Sequence, residues 1–453
     1  MIDRPSVESI ASAIGDVEIP DGIHAFLDAL STPHARALRL RRDVSVEQIP
    51  IPLQQVPWYS LGYQPTNTEI KPARLWRFTT GDFYLQDAGS FLALAAASAD
   101  SDELSGQLIC DLCASPGGKA SAFLEAINDS EPTVRSGFVL ANEVIQSRLG
   151  PLQWNLARTG SDRYAISKMD PERLADTLPG IFDWVLVDAP CSGQALLGRG
   201  KQKLAALSTK QIDHSASRQQ RILDAAIRLV RPGGKLIYST CTFAQAENES
   251  QIHRLTESNQ CVANDHPDLD PYRTSPGCYR LWPQRHDCAG SFAASMTVQD
   301  KEDETRIGRN SIRWPKPEPC RIDEIAELFP SDHPRRLHAT DSTVMDWPED
   351  VPPWVEHVAV AGPELLHRTG RTWKPSHAAA LRRNAHTPDQ VFFDVDERAA
   401  QAFMRGEPIP SNQSGWQVVR YLERPLGWAK GNGQTAKNHL PGAARNQGAE
   451  LIT

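Results

Sequence analysis

Cysteine is missing from the first 109 and the last 133 residues of this 453-residue chain, and its eight cysteines (positions 110, 113, 191, 241, 261, 278, 288 and 320) are scattered. That is a poor disulfide framework and suits a reducing cytoplasm. Long apolar runs are lacking too. The longest, Phe91 to Ala99 with one serine inside it, is about half of what a membrane span needs. The opening Met1-Ile2-Asp3-Arg4-Pro5 has none of the apolar character of a signal peptide. Positive charge is in deficit: 48 Lys and Arg against 56 Asp and Glu leave a formal charge of −8. This argues against a surface coated in basic groups, so any nucleic-acid binding must rest on local basic patches. No internal repeat or low-complexity tract is present. The expectation is a soluble, cytoplasmic protein, a monomer with no membrane partner. At roughly 100–200 residues per domain its length predicts two to four domains with ample core.

Several zones can be read. Residues 1–95 interleave cations with aromatics: Arg36, Arg39, Arg41 and Arg42, then Trp58, Tyr59 and Tyr63, then Lys71, Arg74, Trp76, Arg77, Phe78 and Tyr84. Such a mixture can grip phosphates and stack bases, which predicts an RNA-binding or accessory region. It equally fits a charged face over an ordinary core. Residues 96–313 alternate short apolar runs with helical patterns, as parallel βαβ sheets do. Reactive or polar groups repeatedly follow a strand, where open α/β sheets bind ligands. Residues 314–355 are punctuated by proline and read as a linker or an irregular lead-in. Residues 356–453 read as a small, mostly β module for RNA. From Met404 to Thr453 it carries six Lys and Arg against three Asp and Glu.

The run Cys110-Asp111-Leu112-Cys113-Ala114-Ser115-Pro116-Gly117-Gly118-Lys119 follows a strand and opens a helix. Paired glycines allow close approach of a ligand, and the helix start offers free N–H groups beside the Lys119 charge. Glu143 follows the next strand, 25 residues after Gly118, where an acidic side chain holds ribose hydroxyls. Asp170 and Asp188 follow further strands. The loop is neither G-x-G-x-x-G nor the phosphate-binding G-x-x-x-x-G-K-S/T, so a carboxylate-bearing nucleoside such as S-adenosylmethionine fits better than a dinucleotide or ATP. Cys110 and Cys113 have the spacing of a zinc half-site, but no second pair matches it, and no metal is expected.

Asp188-Ala189-Pro190-Cys191-Ser192-Gly193 and Ser239-Thr240-Cys241-Thr242 each place a cysteine just past a strand. An isolated cysteine is usually a small buried apolar residue. Two on neighbouring strands at a ligand edge fit a specific need. Carbon 5 of a pyrimidine is a feeble nucleophile; a thiolate adding to carbon 6 activates it toward a sulfonium methyl. Asp188 can assist at the ring edge or hold the cofactor. Spacing does not say which cysteine attacks.

Asp-Ala-Pro-Cys-Ser-Gly, Tyr-Ser-Thr-Cys-Thr with Glu247-Asn248-Glu249, and Ala-Ser-Pro-Gly-Gly-Lys together resemble the Sun-type family of RNA cytosine-C5 methyltransferases. Phe83 to Ser90 and Arg280 to Asp287 add to the likeness. Leu426-Gly427-Trp428-Ala429-Lys430 and Lys437-Asn438-His439-Leu440-Pro441 resemble the tail of one bacterial branch, which acts on small-subunit ribosomal RNA. The resemblance implies a Rossmann-like α/β core that uses S-adenosylmethionine. It implies Cys241 as nucleophile and Cys191 in product release, with cofactor contacts on Cys113, Ala114, Ser115, Pro116, Gly117, Gly118, Lys119, Glu143, Asp170 and Asp188. Where relatives usually carry Gly-Phe-Phe this chain has Gly290-Ser291-Phe292, in a loop that lines the family's site. The alternatives are a transfer RNA cytosine methyltransferase and a non-catalytic, RNA-binding ribosome-assembly factor.

Overall fold

The computed structural model describes residues 6–67, 71–127, 137–200, 202–299, 329, 335–382 and 392–446. Two short helices, α1 (Val7–Ile14) and α2 (Gly22–Leu30), come first and bury Ile10, Ile14, Phe26 and Leu30. Four strands follow: β1 (Ala37–Leu40), β2 (Leu53–Gln55), β3 (Gly62–Pro65) and β4 (Phe83–Gln86). They form an antiparallel sheet of order β2-β3-β1-β4. Helix α3 (Trp76–Thr79) precedes β4 and α4 (Leu92–Ala96) follows it. Every residue of α4 is apolar and buried, as a helix apolar all round must be.

Part of the cation-and-aromatic pattern of this zone is drawn into the core, while Arg36, Lys71 and Arg74 stay exposed. Trp58, Tyr59 and Trp76 are buried. Arg39 is 2 % exposed; it pairs with Glu125 and donates to Ser121 Oγ at 2.9 Å. Arg41 pairs with Asp43 at 2.6 Å and donates to the Thr159 carbonyl. Aromatic burial drives these residues inward, and a cation that follows them must find partners there.

Five apolar runs become the parallel strands β5 (Leu108–Asp111), β6 (Phe138–Asn142), β7 (Tyr164–Ser167), β8 (Phe182–Asp188) and β9 (Val230–Thr240). Their order is β9-β8-β5-β6-β7. Covered by α5 (Gly118–Ala126), α6 (Gln146–Ala157), α7 (Pro171–Thr177) and α8 (Thr209–Leu229), they are almost wholly buried. From β5 the chain steps outward to β6 and β7, then returns to β8 on the other side of β5. The crevice of this doubly wound sheet therefore opens at the C-terminal ends of β5 and β8. After α9 (Glu249–Glu257) come β10 (Cys261–Ala263), β11 (Arg273–Ser275), β12 (Cys278–Leu281) and β13 (Ser291–Val298). β13 runs antiparallel to β9 and extends the sheet.

The segment expected as a linker is partly structural. Of this segment, Phe329 and residues 335–355 are described, and β14 (Arg335–Ala339) and β15 (Thr343–Pro348) pair antiparallel. Trp347 Nε1 donates to the Tyr164 carbonyl at 2.7 Å, and Trp354 meets Phe138 and Phe182 edge-on. β16 (Ala359–Ala361) then pairs with β7, so the large sheet runs past residue 313 to residue 361. Prolines suggested a break here, but Pro348 closes a strand and Pro352 and Pro353 sit in the turn beyond it. Burial of two tryptophans outweighs them. β17 (Glu364–Thr369) and β18 (Thr372–Pro375) complete a four-stranded sheet with β14 and β15.

The last module holds β19 (Phe392–Asp394), β20 (Ile409–Pro410), β21 (Ser414–Tyr421), β22 (Arg424–Asn432) and β23 (Thr435–Asn438), with one helix at Glu397–Arg405. No described helix is long and apolar enough to cross a membrane.

Candidate active site

Gly117 and Gly118 set the geometry at the end of β5. Gly117 has φ +107°, a left-handed conformation that favours glycine, and it caps α5. A Cβ on Gly118 would lie 2.4 Å from Gln86 Oε1 and 2.9 Å from Tyr84 Cε1. Gly118 and Lys119, at the start of α5, line a cavity of about 500 Å³ between the turn and the ends of β8 and β9.

Of the residues expected to bind cofactor, Ala114, Ser115, Pro116, Gly118, Lys119 and Asp188 line this cavity, and Cys241 faces them across it. Lys119 Nζ reaches Asp188 Oδ2 at 2.7 Å, and Ser239 Oγ donates to Asp188 Oδ1 at 3.1 Å. Burial opposes the Lys119 charge, yet Asp188 holds it above the ordinary lysine range. Cys113, Gly117, Glu143 and Asp170 do not line the cavity. Glu143 lies buried at the end of β6, accepting from the Ile145 N–H at 2.9 Å and pairing at 3.0 Å with Arg148, which does line it. Asp170 is exposed after β7 and caps α7 by accepting from the Glu172 N–H at 3.0 Å. Asn142 ties those two strand ends, accepting from Ser167 Oγ and the Met169 N–H.

The two predicted cysteines meet. Cys191 Sγ lies 3.3 Å from Cys241 Sγ. Cys241 lines the cavity; Cys191 stands behind it. The hydrogen bond to Cys241, followed by burial, pushes the Cys191 thiol well above its ordinary value. Cys110 and Cys113 are free thiols whose burial likewise favours the protonated form.

Glu247 and Asn248 explain why the Thr-Cys-Thr and Pro-Cys-Ser loops hold together. Glu247 accepts from the Ser192 N–H at 2.9 Å and from Gln219 Nε2 at 2.8 Å. Asn248 accepts from Thr240 Oγ1 at 2.6 Å and donates to the Thr242 carbonyl at 2.9 Å. Glu249 takes a two-pronged pair from Arg280 at 2.6 and 2.7 Å.

Sequence reasoning missed Asp111 as a site residue, although it stands in the glycine run. It is 1 % exposed and neither carboxylate oxygen has a hydrogen-bond partner of ordinary geometry. Burial, then the nearby Asp188, pushes it up to about 7. Also missed were Arg148, Arg199 and Asp87. Arg199 meets Asp87 at 2.6 Å, and Asp87 also accepts from the Gly89 and Ala289 N–H groups, closing the cavity's other wall. The Phe83–Ser90 run was the signal for Asp87; nothing in the sequence marked Arg199. Gly290 has φ +93°, and a Cβ there would strike Phe243 Cζ at 2.4 Å. Ser291 follows it and puts a small hydroxyl in the cavity wall.

A glycine turn at the switch point of a parallel sheet, with two thiols at the same edge, defines a Rossmann-like methyltransferase. Residues 101–297 match the family described as 16S rRNA methyltransferase RsmB/F, and residues 390–446 match the methyltransferase RsmF PUA domain. The chain is therefore similar to the RsmB/F methyltransferases over its core and to their PUA domain at its C-terminal end. It is 27 % identical over 445 residues to ribosomal RNA small subunit methyltransferase F of Aeromonas salmonicida, covering 92 % of each chain. To the protein of that name from Shigella boydii serotype 4 it is 28 % identical over 449 residues, covering 92 % of this chain and 91 % of the relative. Among solved structures, a methyltransferase homolog protein from Pyrococcus horikoshii is 25 % identical, with TM-score 0.52, over 60 % of this chain and 90 % of that one. NSun6 from Pyrococcus horikoshii with SFG shares the fold at 18 % identity and TM-score 0.50, over 61 % and 94 %.

Proposed function

We propose that the chain methylates carbon 5 of a cytosine in small-subunit ribosomal RNA, as a cytoplasmic monomer using S-adenosylmethionine, through a covalent bond from Cys241 to carbon 6. The carrying observation is that Cys241 shares one cavity with the Gly118–Lys119 turn while its sulfur rests 3.3 Å from a second thiol.

The residues present suit the cofactor. The start of α5 suits a carboxylate, and the buried carboxyl of Asp111, in the cavity wall, suits an ammonium. Glu143, at the end of β6, suits ribose hydroxyls, and Asp170 stands past the next strand for the base. Cys113, Ala114, Ser115, Pro116 and Gly117 shape the turn. When bound, the cofactor supplies an electrophilic sulfonium methyl. Glu143 and Asp188 supply the negative charge beside the turn, held by Arg148 and Lys119.

The target cytosine must leave its stack, which costs a few kcal/mol when it is paired. The Cys241 thiolate adds to carbon 6, which moves the ring electrons to carbon 5; carbon 5 would then take the sulfonium methyl, the donor leaving as a neutral thioether. The carbon-5 proton passes to solvent water, the electrons of that C–H bond re-form the 5,6 double bond, and the carbon–sulfur bond breaks to return the Cys241 thiolate. Cys191, kept as a thiol, offers a hydrogen bond to the departing sulfur. Asp188, fixed by Lys119 and Ser239, lies at the ring's polar edge. Tritiated methyl transfer to isolated small subunits and to bulk tRNA, with the product mapped, tests this. Label confined to cytosine C5 of the subunit RNA is expected; label on tRNA alone, or on neither, overturns it.

A further inference from the structure

A second hollow, about 390 Å³, lies where α6, the β17–β18 hairpin and the C-terminal module meet. Its walls carry Trp154, His377 and His439. Trp154 and His377 are stacked, with centroids 5.5 Å apart and 15° between planes. Trp416 abuts His439 at 4.5 Å and carries Lys430 over its face at 5.4 Å. Both ring nitrogens of His377 are buried without a hydrogen-bond partner, a costly arrangement unless something else supplies one. Burial, then Arg158, pushes His377 down to about 4, so near neutral pH it offers one donor and one acceptor.

The mouth of the hollow is cationic. Lys374 is the cross-strand partner of His367, which lines the hollow. Lys430, over the Trp416 ring, is the cross-strand partner of Lys437. After burial, the charges of Lys374, Lys437 and Lys430 depress His439 to about 4. The one carboxylate among the described lining residues, Glu364, is engaged by Gln153 Nε2 at 2.7 Å. Aromatic walls beside lysines form the stacking platform and phosphate grip that nucleic-acid strands require.

We propose that this hollow is a nucleotide site, which takes one base of the bound RNA against Trp154, His377 and His439 and its phosphate on Lys374, Lys430 and Lys437. The source of the nucleotide rests on the function proposed above; the site itself does not. Helix α6 joins the two places, since Asn155 Nδ2 donates to the Pro116 carbonyl of the glycine turn at 2.8 Å.

Gly150 gives a clean test. It lines the hollow from within α6, and a Cβ there meets nothing within 4 Å. Gly150→Phe therefore sets a ring at the rim of the hollow, and Gly150→Ala controls for the backbone. Binding of a fluorescein-labelled, mixed-sequence single-stranded RNA to the full chain is read by anisotropy. Gly150→Phe is expected to weaken it by about tenfold, with Gly150→Ala unchanged. Lys374→Gln with Lys437→Gln is expected to flatten the log-affinity against log-salt slope by about 0.7 per lysine. Unchanged RNA affinity in Gly150→Phe overturns the proposal. Adenosine monophosphate, titrated alone, separates the sources: if Gly150→Phe abolishes its binding and leaves RNA binding intact, the strand assignment falls. Methyl transfer by the unaltered chain is measured beside these, so its absence would sink the proposed function without touching the hollow.

Discussion

Two sulfur atoms 3.3 Å apart do not share negative charge readily, so ionising one holds the proton on the other. Here Cys191 is the one held protonated, and Cys241 is the one open to the cavity. Cys241→Ala is therefore expected to abolish methyl transfer while S-adenosylmethionine still binds; turnover near the unaltered rate would refute the assignment. Cys191→Ser is expected to trap a covalent RNA–protein adduct, seen as a shifted band on a denaturing gel. Asp111 makes a separate prediction. The folded chain keeps its proton up to about pH 7, whereas the unfolded chain releases it near 3.8. Raising the pH through that window favours the unfolded state, by on the order of 4 kcal/mol when the site does not relax. Asp111→Asn removes the titration, so its stability relative to the parent chain should rise from pH 4 to pH 8 in urea melts, while cofactor affinity falls. A parallel pH dependence in both proteins would show that the carboxylate is not strained. The cysteine motifs were legible because a thiol after a strand is a local pattern. The state of Asp111 was not, because it comes from Asp188 and burial, which only the fold assembles.

At the scale of elements, the parallel strands and the glycine turn were legible because each is a short apolar run ending in a polar group. Asp188 and the turn from Ala114 to Lys119 then meet because the strand order changes side at β5. Glu143 was placed correctly at the end of β6 but reaches the cavity through Arg148. Asp170 lies three residues past the next strand, at the cap of α7, and faces solvent. Spacing gives the strand end, not the direction of a side chain. The start of α5 carries the element-scale prediction. Alanine is ordinarily the better helix former, so Gly118→Ala should leave folding intact. Its methyl would, however, press on Gln86 and Tyr84, which lie 2.4 and 2.9 Å from that Cβ. Calorimetric titration with S-adenosylmethionine should show at least about a tenfold weaker Kd, or about 1.4 kcal/mol, and an unchanged Kd would mean that ligand does not approach this turn.

Over the whole molecule, the boundaries drawn from proline and charge separate what packing unites. Tyr164, Phe138 and Phe182 belong to the catalytic sheet, yet Trp347 and Trp354, from the stretch read as a linker, cover them. β16 then closes the edge of β7 that would otherwise stand open. Proline density is a local signal, and it says nothing about which distant surface a tryptophan between prolines will fill. A chain cut at residue 313 should therefore not behave as a free-standing catalytic domain. It would bare three large aromatic surfaces, each contributing roughly 1.5–3 kcal/mol when buried, and expose an unpaired strand edge prone to association. Set beside the full chain in thermal unfolding and light scattering, it is expected to melt earlier and to aggregate on heating. A fragment that stays monomeric and melts with the parent would place the domain limit at 313 and reduce Trp347 and Trp354 to passengers.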